Sequence, residues 1–316
     1  MKKALITGIS GFAGSFLADH LLENGYQVSG TYLSDTSLKN LSKKDSLTLY
    51  KLNLLNEKSV FDLVRQDKPD FVFHLAALTS PKNSFENPSE TFINNVSAEL
   101  NLLEAIKKNN LSECKILIIS SAEIYGLVAK ENLPIDEETP FNPTNPYAVS
   151  KLAQDYLGLQ YFHSDNLKIV RARPFNHVGP RQSPDFVVSG FAKRIAEAEK
   201  SGQSKMKVGN LNSRRDFTDV RDMVIAYRLA LEKGEIGEVY NLGSGKSFEI
   251  KTILEKLLDL STVKIQPEED PSLMRPSDNP DHVCDSSKFR NLTGWNPQIP
   301  IEKTLQDTLD YWRKSI

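Results

Sequence analysis

The chain has 316 residues, of which 39% are hydrophobic and 25% are charged, and its formal net charge is −2. These values are typical of a globular protein with one large or two ordinary domains, and the weak negative charge excludes the basic field that nucleic-acid binding requires. No apolar run reaches the ~18 residues that span a bilayer, and the start, MKKALITG, predicts no signal peptide. The two cysteines, Cys114 and Cys284, lie far apart in the sequence, which favours a reducing cytoplasmic location and no metal site.

Strands and helices alternate through the first half of the chain. Short apolar runs predict strands over 3–7, 26–32, 46–53, 70–76 and 114–121. The intervening segments predict helices over 12–25, 57–66 and 88–110. This alternation predicts a Rossmann-like α/β fold with a doubly wound parallel sheet, whose ligands bind beyond the carboxyl ends of the strands.

The pattern loosens after residue 173. Polar segments predict loops over 173–186 and 210–219, and a Pro-rich segment covers 266–280. Helices are predicted over 186–202, 248–260 and 301–314. We therefore expect a dinucleotide-binding domain over 1–173, with contributions from about 219–242, and a smaller C-terminal α/β lobe over 174–316 that binds the substrate.

A glycine turn, GISGFAG, joins the first strand to the first helix. Gly8, Gly11 and Gly14 can adopt positive φ and let a phosphate approach the backbone N–H groups at the start of the helix. The setting favours a dinucleotide site over a plain glycine-rich corner. Asp35 lies near the distance at which an acidic residue holds a ribose 2′-hydroxyl, and Lys39 is a distant candidate for a 2′-phosphate, so NADH and NADPH both remain open.

A tyrosine and a lysine lie one turn apart on a helix that begins near 145. Pro146 suits the first helical position, and Asn145 suits the N-cap. Tyr147 and Lys151 share one helix face, where an ammonium can favour the phenolate form of a phenol. Ser121, at the end of a buried strand, supplies a hydroxyl for a substrate oxygen, which favours a site over a chance pair.

Together these features resemble the extended short-chain dehydrogenase/reductase family, whose members act on nucleotide sugars. They are Gly8, Gly11 and Gly14, the segment HLAA at 74–77, Asn95, Ser121, Tyr147 and Lys151. Segments 173–187, 214–223 and 273–281 are similar to the GDP-mannose branch of that family. The resemblance implies a nicotinamide cofactor, NADPH or NADH, a GDP-sugar substrate and a homodimer formed by helices over 86–109 and 145–163. Leu100, Leu103 and Ile106 could belong to that dimer face or to the core of the monomer.

The resemblance also assigns site residues. Tyr147 is the expected proton donor, Lys151 its electrostatic partner, and Ser121 the hydroxyl that orients the sugar carbonyl. The expected cofactor-binding residues are Gly8, Ser10, Gly11, Phe12, Ala13, Gly14, Asn53, Leu54, Leu75, Ala76, Ala77, Asn95, Tyr147, Lys151 and Pro174. The expected substrate-binding residues are Ser121, Ala122, Asn176, Arg181, Val188, Lys193, Arg215, Arg275 and Asp278. The family usually has Asp where this chain has Asn53.

Arg215 and Arg275 are the main candidates for the diphosphate, because a guanidinium meets phosphate oxygens through a planar fork. The implied reaction is reduction of the C4 ketone of GDP-4-keto-6-deoxy-D-mannose. Glu123 aligns with the glutamate base of the dehydratases and favours the alternative, elimination of water from GDP-mannose. A 4-epimerase, a 3,5-epimerase-reductase and a dinucleotide sensor without activity are further alternatives.

Overall fold

The computed structural model describes residues 1–273 and 281–316. Its strands are β1 (Lys3–Thr7), β2 (Gln27–Tyr32), β3 (Leu47–Lys51), β4 (Phe71–His74), β5 (Lys115–Ile119), β6 (Lys168–Pro174), β7 (Asn176–Val178), β8 (Lys205–Val208), β9 (Arg214–Asp219), β10 (Val239–Leu242), β11 (Ser247–Glu249), β12 (Gln266–Glu269) and β13 (Asp281–His282). Its α-helices are α1 (Phe12–Glu23), α2 (Glu57–Asp67), α3 (Pro81–Glu86), α4 (Pro88–Lys108), α5 (Pro146–Asp165), α6 (Val187–Ser201), α7 (Val220–Lys233), α8 (Ile250–Asp259), α9 (Ser287–Thr293) and α10 (Ile301–Ser315).

Seven parallel strands form the large sheet, in the order β10-β6-β5-β4-β1-β2-β3. Helices cover both faces, so its strands are continuous apolar runs rather than alternating ones. Ile6 packs on the side of α1 and α7, whereas the adjacent Leu5 packs on the side of α2, α4 and α5. This is the doubly wound Rossmann-like α/β sheet that the alternating sequence predicted.

The residues after β6 build a second, smaller set of sheets. Strand β9 pairs with β11 on one side and with β13 and β7 elsewhere, and β8 pairs with β12. Helices α6, α8 and α10 pack together around a separate apolar core. Strand β10 and helix α7 return to the large sheet, and we propose that the boundary between the two lobes follows these sheets.

The prediction of a loop over 210–219 was wrong for residues 214–219, which form β9. The segment is polar, and its strand is stabilised by partners that are distant in the chain. The buried Asp216 accepts hydrogen bonds from the backbone N–H groups of Ser244, Gly245 and Cys284, at 2.8–3.1 Å. The segments 173–186 and 266–280 likewise contain strands β7 and β12.

Only one of the three leucine and isoleucine residues named as a possible dimer face is exposed. Leu103 and Ile106 are fully buried in the core of the monomer between α4 and the sheet, whereas Leu100 is 39% exposed. Leu103 and Ile106 therefore face the sheet, because the apolar stripe of α4 is needed to cover it. Within the described residues, no helix has the length and apolar character needed to cross a membrane.

Candidate active site

A cavity of about 1250 Å³ lies at the carboxyl ends of the large-sheet strands, between that sheet and the smaller lobe. Its inner wall comes from the glycine turn and from the loops that follow β2, β3, β4 and β5. Its outer wall comes from α6 and β9 of the smaller lobe. This is the position at which parallel α/β sheets bind their ligands.

The glycine turn exposes bare backbone to the cavity. Gly8 has φ +70°, and a Cβ there would approach the Ala76 backbone to 3.0 Å. A Cβ on Gly14 would lie 2.3 Å from the Gly8 carbonyl oxygen. Gly11 is the N-cap of α1 and has no side chain to occupy the first N–H groups of the helix. The turn therefore fits the pyrophosphate of a dinucleotide, which binds backbone N–H groups at a helix N-terminus.

The loops after β2 and β3 continue this wall toward the position expected for the adenosine. Asn53 and Leu54 line the cavity, and Asn53 Oδ1 shapes its turn by accepting a 2.9 Å hydrogen bond from Leu55 N. The hydroxyls of Ser10 and Ser37 lie 2.6 Å apart at the cavity edge. Asp35 does not line the cavity and forms an exposed ion pair with Lys51. Hydroxyl groups, not a carboxylate, therefore face the expected ribose position.

Most of the other predicted cofactor residues also line the cavity. They are Ser10, Phe12, Ala13, Leu75, Ala76, Ala77 and Pro174. Asn95 is buried behind the cavity wall, where its Nδ2 donates to Leu78 O at 3.1 Å and to Ser150 Oγ at 2.9 Å. Because Leu78 N also donates to Asn95 Oδ1 at 2.7 Å, Asn95 ties the loop after β4 to α5 and positions the wall.

Tyr147, Lys151 and Ser121 all line this cavity. Helix α5 begins at Pro146, and Asn145 Oδ1 accepts a 2.8 Å hydrogen bond from Ala148 N, which confirms the predicted cap. The cap places the phenol in the first turn of the helix and the ammonium one turn later. Ser121 follows β5, and its Oγ accepts a 3.2 Å hydrogen bond from Glu123 N.

Burial raises the pKa of Tyr147 to about 12, which Ser121 opposes as a hydrogen-bond partner and the Glu123 carboxylate increases. The phenol is therefore protonated at neutral pH and able to donate. Proximity of Lys151 led us to expect a lowered phenol pKa. In the structure the ammonium instead donates a 2.7 Å hydrogen bond to Gln154 Oε1. Burial lowers the pKa of Lys151 to about 8, opposed by Glu99 and Asp155.

Ala122 and Glu123 line the same side of the cavity as Tyr147. Glu123 Oε2 accepts a 3.1 Å hydrogen bond from Asn145 Nδ2. His282, which the sequence did not point to, also lines the cavity and donates from Nε2 to Gly126 O at 2.9 Å. Burial lowers the pKa of His282, and the Glu123 carboxylate opposes that shift.

The smaller lobe brings Asn176, Val188, Lys193 and Arg215 to the opposite wall. Lys193 Nζ lies 3.3 Å from Glu197 Oε1, and both residues line the cavity. The cavity is also lined by aromatic residues that the sequence did not single out, namely Phe186, Phe191 and Tyr227. Apolar residues at helical spacing ordinarily indicate core, so no local signal distinguished these three.

One predicted substrate residue within the described part of the chain, Arg181, is not among those that line the cavity. Arg181 donates to Asp19 Oδ2 at 3.1 Å and to Ser15 Oγ at 3.2 Å, and it covers the Phe16 ring. Its guanidinium therefore holds the loop after β7 against α1. Arg275 and Asp278 lie outside the described residues.

A family model described as GDP-mannose 4,6 dehydratase matches residues 5–308. The match covers nearly the whole chain, including the glycine turn, the Tyr147 helix and the smaller lobe. The chain belongs to the GDP-mannose 4,6-dehydratase family. The family fold is that of the extended short-chain dehydrogenases/reductases, as the sequence had indicated.

Individual members of the GDP-mannose 4,6-dehydratase family and its structural relatives match over 91–100% of their own length. GDP-6-deoxy-D-mannose reductase from Pseudomonas aeruginosa is 35% identical and covers 100% of this chain and 98% of its own. GDP-mannose 4,6-dehydratase from Yersinia enterocolitica is 29% identical, over 96% of this chain and 91% of its own. The structure of RMD from Pseudomonas aeruginosa complexed with NADPH matches with a TM-score of 0.88 at 34% identity, covering 100% of both chains.

Proposed function

We propose that this protein reduces the C4 ketone of GDP-4-keto-6-deoxy-D-mannose to GDP-D-rhamnose, with NADPH or NADH as the reductant. The observation that carries the proposal is the convergence of Ser121, Tyr147 and Lys151 on the cavity that the glycine turn also lines. The full-length similarity to a GDP-6-deoxy-D-mannose reductase supports a reductase over a dehydratase.

In this reaction, each of the cavity residues Tyr147, Ser121 and Lys151 has a separate role. A bound nicotinamide dinucleotide supplies the hydride that reduces the ketone. Tyr147 donates its proton to the sugar O4 as negative charge develops there, which is general acid catalysis. Ser121 donates a hydrogen bond to the same oxygen, and Lys151 stabilises the phenolate that forms. A phenol that stays protonated near neutral pH suits this direction of proton transfer.

The diphosphate of the sugar nucleotide is assigned to the smaller lobe. Arg215 faces the cavity from β9 and supplies the planar fork that phosphate oxygens favour. We assign Asn176 and Lys193 to contacts with the sugar nucleotide on the same wall. Arg275 and Asp278 retain their proposed role on the grounds of sequence alone.

One observation favours a second candidate, the dehydration of GDP-mannose. Glu123 lines the cavity on the side of Tyr147, where a carboxylate base for the C5 proton is needed. The similarity to a GDP-mannose 4,6-dehydratase, at 29% identity, is consistent with that chemistry. In the reductase, Glu123 is a polar wall residue of the sugar pocket.

Product analysis separates the two candidates. The protein is incubated with GDP-mannose and both reduced and oxidised cofactors, with and without a separate GDP-mannose 4,6-dehydratase. The reductase forms GDP-D-rhamnose only when the dehydratase is added. Formation of a keto sugar in its absence would contradict the proposal, and so would a failure to consume the keto sugar when it is supplied.

We also propose that the protein is a homodimer that acts in the cytoplasm and binds no nucleic acid. An exposed apolar surface, the α4/α5 face, supports the dimer; it is formed by Phe92, Ile93, Leu100, Val149 and Tyr156. Each of these side chains is 39–55% exposed, and a patch of this kind marks an interaction surface. The net charge of −2 agrees with the absence of a nucleic-acid partner.

A further inference from the structure

Helix α4 buries a carboxyl group that the reaction described above does not use. Glu99 is fully buried, and neither of its carboxyl oxygens accepts a hydrogen bond. A buried polar group without a partner is costly, and an ionised one is far more so. We therefore asked which neighbouring groups could stabilise the buried Glu99 carboxyl group.

The charged group that acts most strongly on Glu99 is the ammonium of Lys151, on the adjacent helix α5. Burial raises the pKa of Glu99 well above its ordinary value, and the Lys151 charge opposes that shift. The Gln154 amide lies beside the carboxyl but outside hydrogen-bond geometry. Gln154 Oε1 instead accepts from Lys151 Nζ at 2.7 Å, so the ammonium is bound to a side chain that also adjoins the Glu99 carboxyl group.

The other titratable groups that face Lys151 are either neutral or paired with other charged groups. Asp155 accepts hydrogen bonds from Arg171 Nη1 at 2.8 Å and Arg173 Nε at 2.8 Å, so its charge is matched by two guanidinium groups. Burial lowers the pKa of His74 to about 3, so this ring is neutral between its contacts with Thr7 and Gln154. Among the described residues, Glu99 is thus the acid near Lys151 whose carboxyl group has no hydrogen-bond partner.

We propose that Glu99 is a positioning residue of the reaction: from behind the cavity its carboxylate stabilises the positive charge of Lys151 by charge attraction, so that Lys151 keeps that charge while Tyr147 donates. Glu99 acts through Lys151 and does not touch the substrate. The proposal deepens the proposed function and rests on it for the role of Lys151.

Glu99 can keep Lys151 charged because, of the two groups, the Glu99 carboxyl group releases its proton first. As the pH rises, loss of the Glu99 proton leaves a carboxylate beside an ammonium, and the two ions attract. Loss of the Lys151 proton would leave two neutral groups and no such attraction. When Glu99 is present, its carboxyl group therefore loses a proton before the Lys151 ammonium does. When Glu99 is replaced by a neutral residue, this attraction is absent and Lys151 loses its proton at lower pH.

The test replaces Glu99 by its neutral isostere, Glu99→Gln, with Glu90→Gln as a matched control on the exposed start of α4. We expect the alkaline limb of the kcat/KM profile to move down by about one pH unit in the first variant. This corresponds to a loss of about tenfold on the alkaline side, with near-normal values on the acid side. The control variant keeps the profile of the unaltered protein.

A second measurement does not depend on activity. NMR of isotope-labelled lysine Cε groups follows the titration of Lys151, whose signal is identified by its absence in Lys151→Arg. In Glu99→Gln this signal should titrate at lower pH than in the unaltered protein. Glu99→Asp retains a carboxyl group and should restore most of the difference. Glu99→Leu is a second neutral replacement and takes the place of the glutamine variant if that variant does not fold.

An unchanged Lys151 titration in Glu99→Gln, or in Glu99→Leu if only that variant folds, overturns the proposal. The NMR result is independent of which sugar is reduced. A lysine that responds to Glu99 in a protein that does not reduce the keto sugar would therefore refute the proposed function and leave the Glu99–Lys151 pair established.

Discussion

Asn145 joins the start of the Tyr147 helix to the loop that carries Glu123. Its Oδ1 accepts a 2.8 Å hydrogen bond from Ala148 N, while its Nδ2 donates a 3.1 Å hydrogen bond to Glu123 Oε2. A single carboxamide therefore caps α5 and fixes the carboxylate on the wall of the cavity. In the proposed reduction, this arrangement places Glu123 beside the sugar but outside the proton transfer from Tyr147.

Glu123→Gln is therefore expected to reduce ketone turnover by less than about tenfold, because the amide keeps the polar contact and the reduction needs no base at C5. Removal of a true general base would cost about 10²–10⁴-fold. Turnover of GDP-4-keto-6-deoxy-D-mannose with reduced cofactor measures the difference. A loss above a hundredfold would argue that Glu123 takes part in the chemistry.

Tyr147→Phe removes the proposed proton donor and leaves the shape of the cavity intact. We expect kcat to fall by about 10²–10⁴-fold while the Kd of the GDP-sugar changes little, because the donor is needed only as charge develops on O4. Stopped-flow or steady-state cofactor oxidation and calorimetric binding check the two quantities. Tyr156→Phe, on an exposed tyrosine of the same helix, is the control and should behave as the unaltered protein.

Asp155→Asn should lower the free energy of unfolding by about 3–5 kcal/mol at neutral pH, because it leaves two buried guanidinium groups without their shared counter-ion. Urea unfolding measures this, and Asp62→Asn, at an exposed pair with Arg65, should cost under about 1 kcal/mol.

The pH dependence of this difference has a definite sign. Burial acts to raise the pKa of Asp155, but Arg173 and Arg171 outweigh it, and the pKa is lowered. The stabilisation is therefore present above the unfolded-state value of ~3.9 and is lost as the pH falls through the lower folded-state value. The gap between the two proteins should narrow only below about pH 4; a gap that widens in acid would contradict the assignment.

NADPH should be used more efficiently than NADH. The hydroxyls of Ser10 and Ser37 line the cavity where the ribose is expected, while the Asp35 carboxylate is paired with Lys51. Hydrogen bonds to a charged 2′-phosphate contribute about 1.5–3 kcal/mol, or roughly tenfold or more in kcat/KM. Steady-state kinetics with both cofactors test the ratio, which Ser37→Ala should reduce and Ser42→Ala should not. A preference for NADH would overturn this prediction.

Tyr156→Glu and Leu100→Glu should convert the proposed dimer into a monomer, because each places a charge within the apolar α4/α5 face. Sedimentation equilibrium reports the mass directly. Leu292→Glu changes an equally exposed leucine elsewhere and should leave the mass unaltered. If all three proteins have the mass of the unaltered protein, the α4/α5 face is not the dimer interface.

Local patterns in the sequence were sufficient for the parts of the site that depend on near neighbours. The turn at Gly8 is defined by a strand and a helix that adjoin it, and the cap at Asn145 is satisfied by Ala148, three residues later. The spacing of Tyr147 and Lys151 placed both on one helix face. Each of these predictions concerns a short stretch of backbone, whose geometry is governed by short-range hydrogen bonds and helical periodicity.

Only the tertiary structure decided which polar groups are buried and where they point. The sequence could not distinguish the arginine at 181, which holds Asp19, from a phosphate ligand, nor reveal that Glu99 lies unpartnered beside Lys151. The sequence of strand β9 likewise predicted a loop, because the strand is stabilised by hydrogen bonds to β7, β11 and β13 and not by a local pattern. Burial and pairing of this kind depend on residues that are distant along the chain, and no local spacing encodes which distant segments come together.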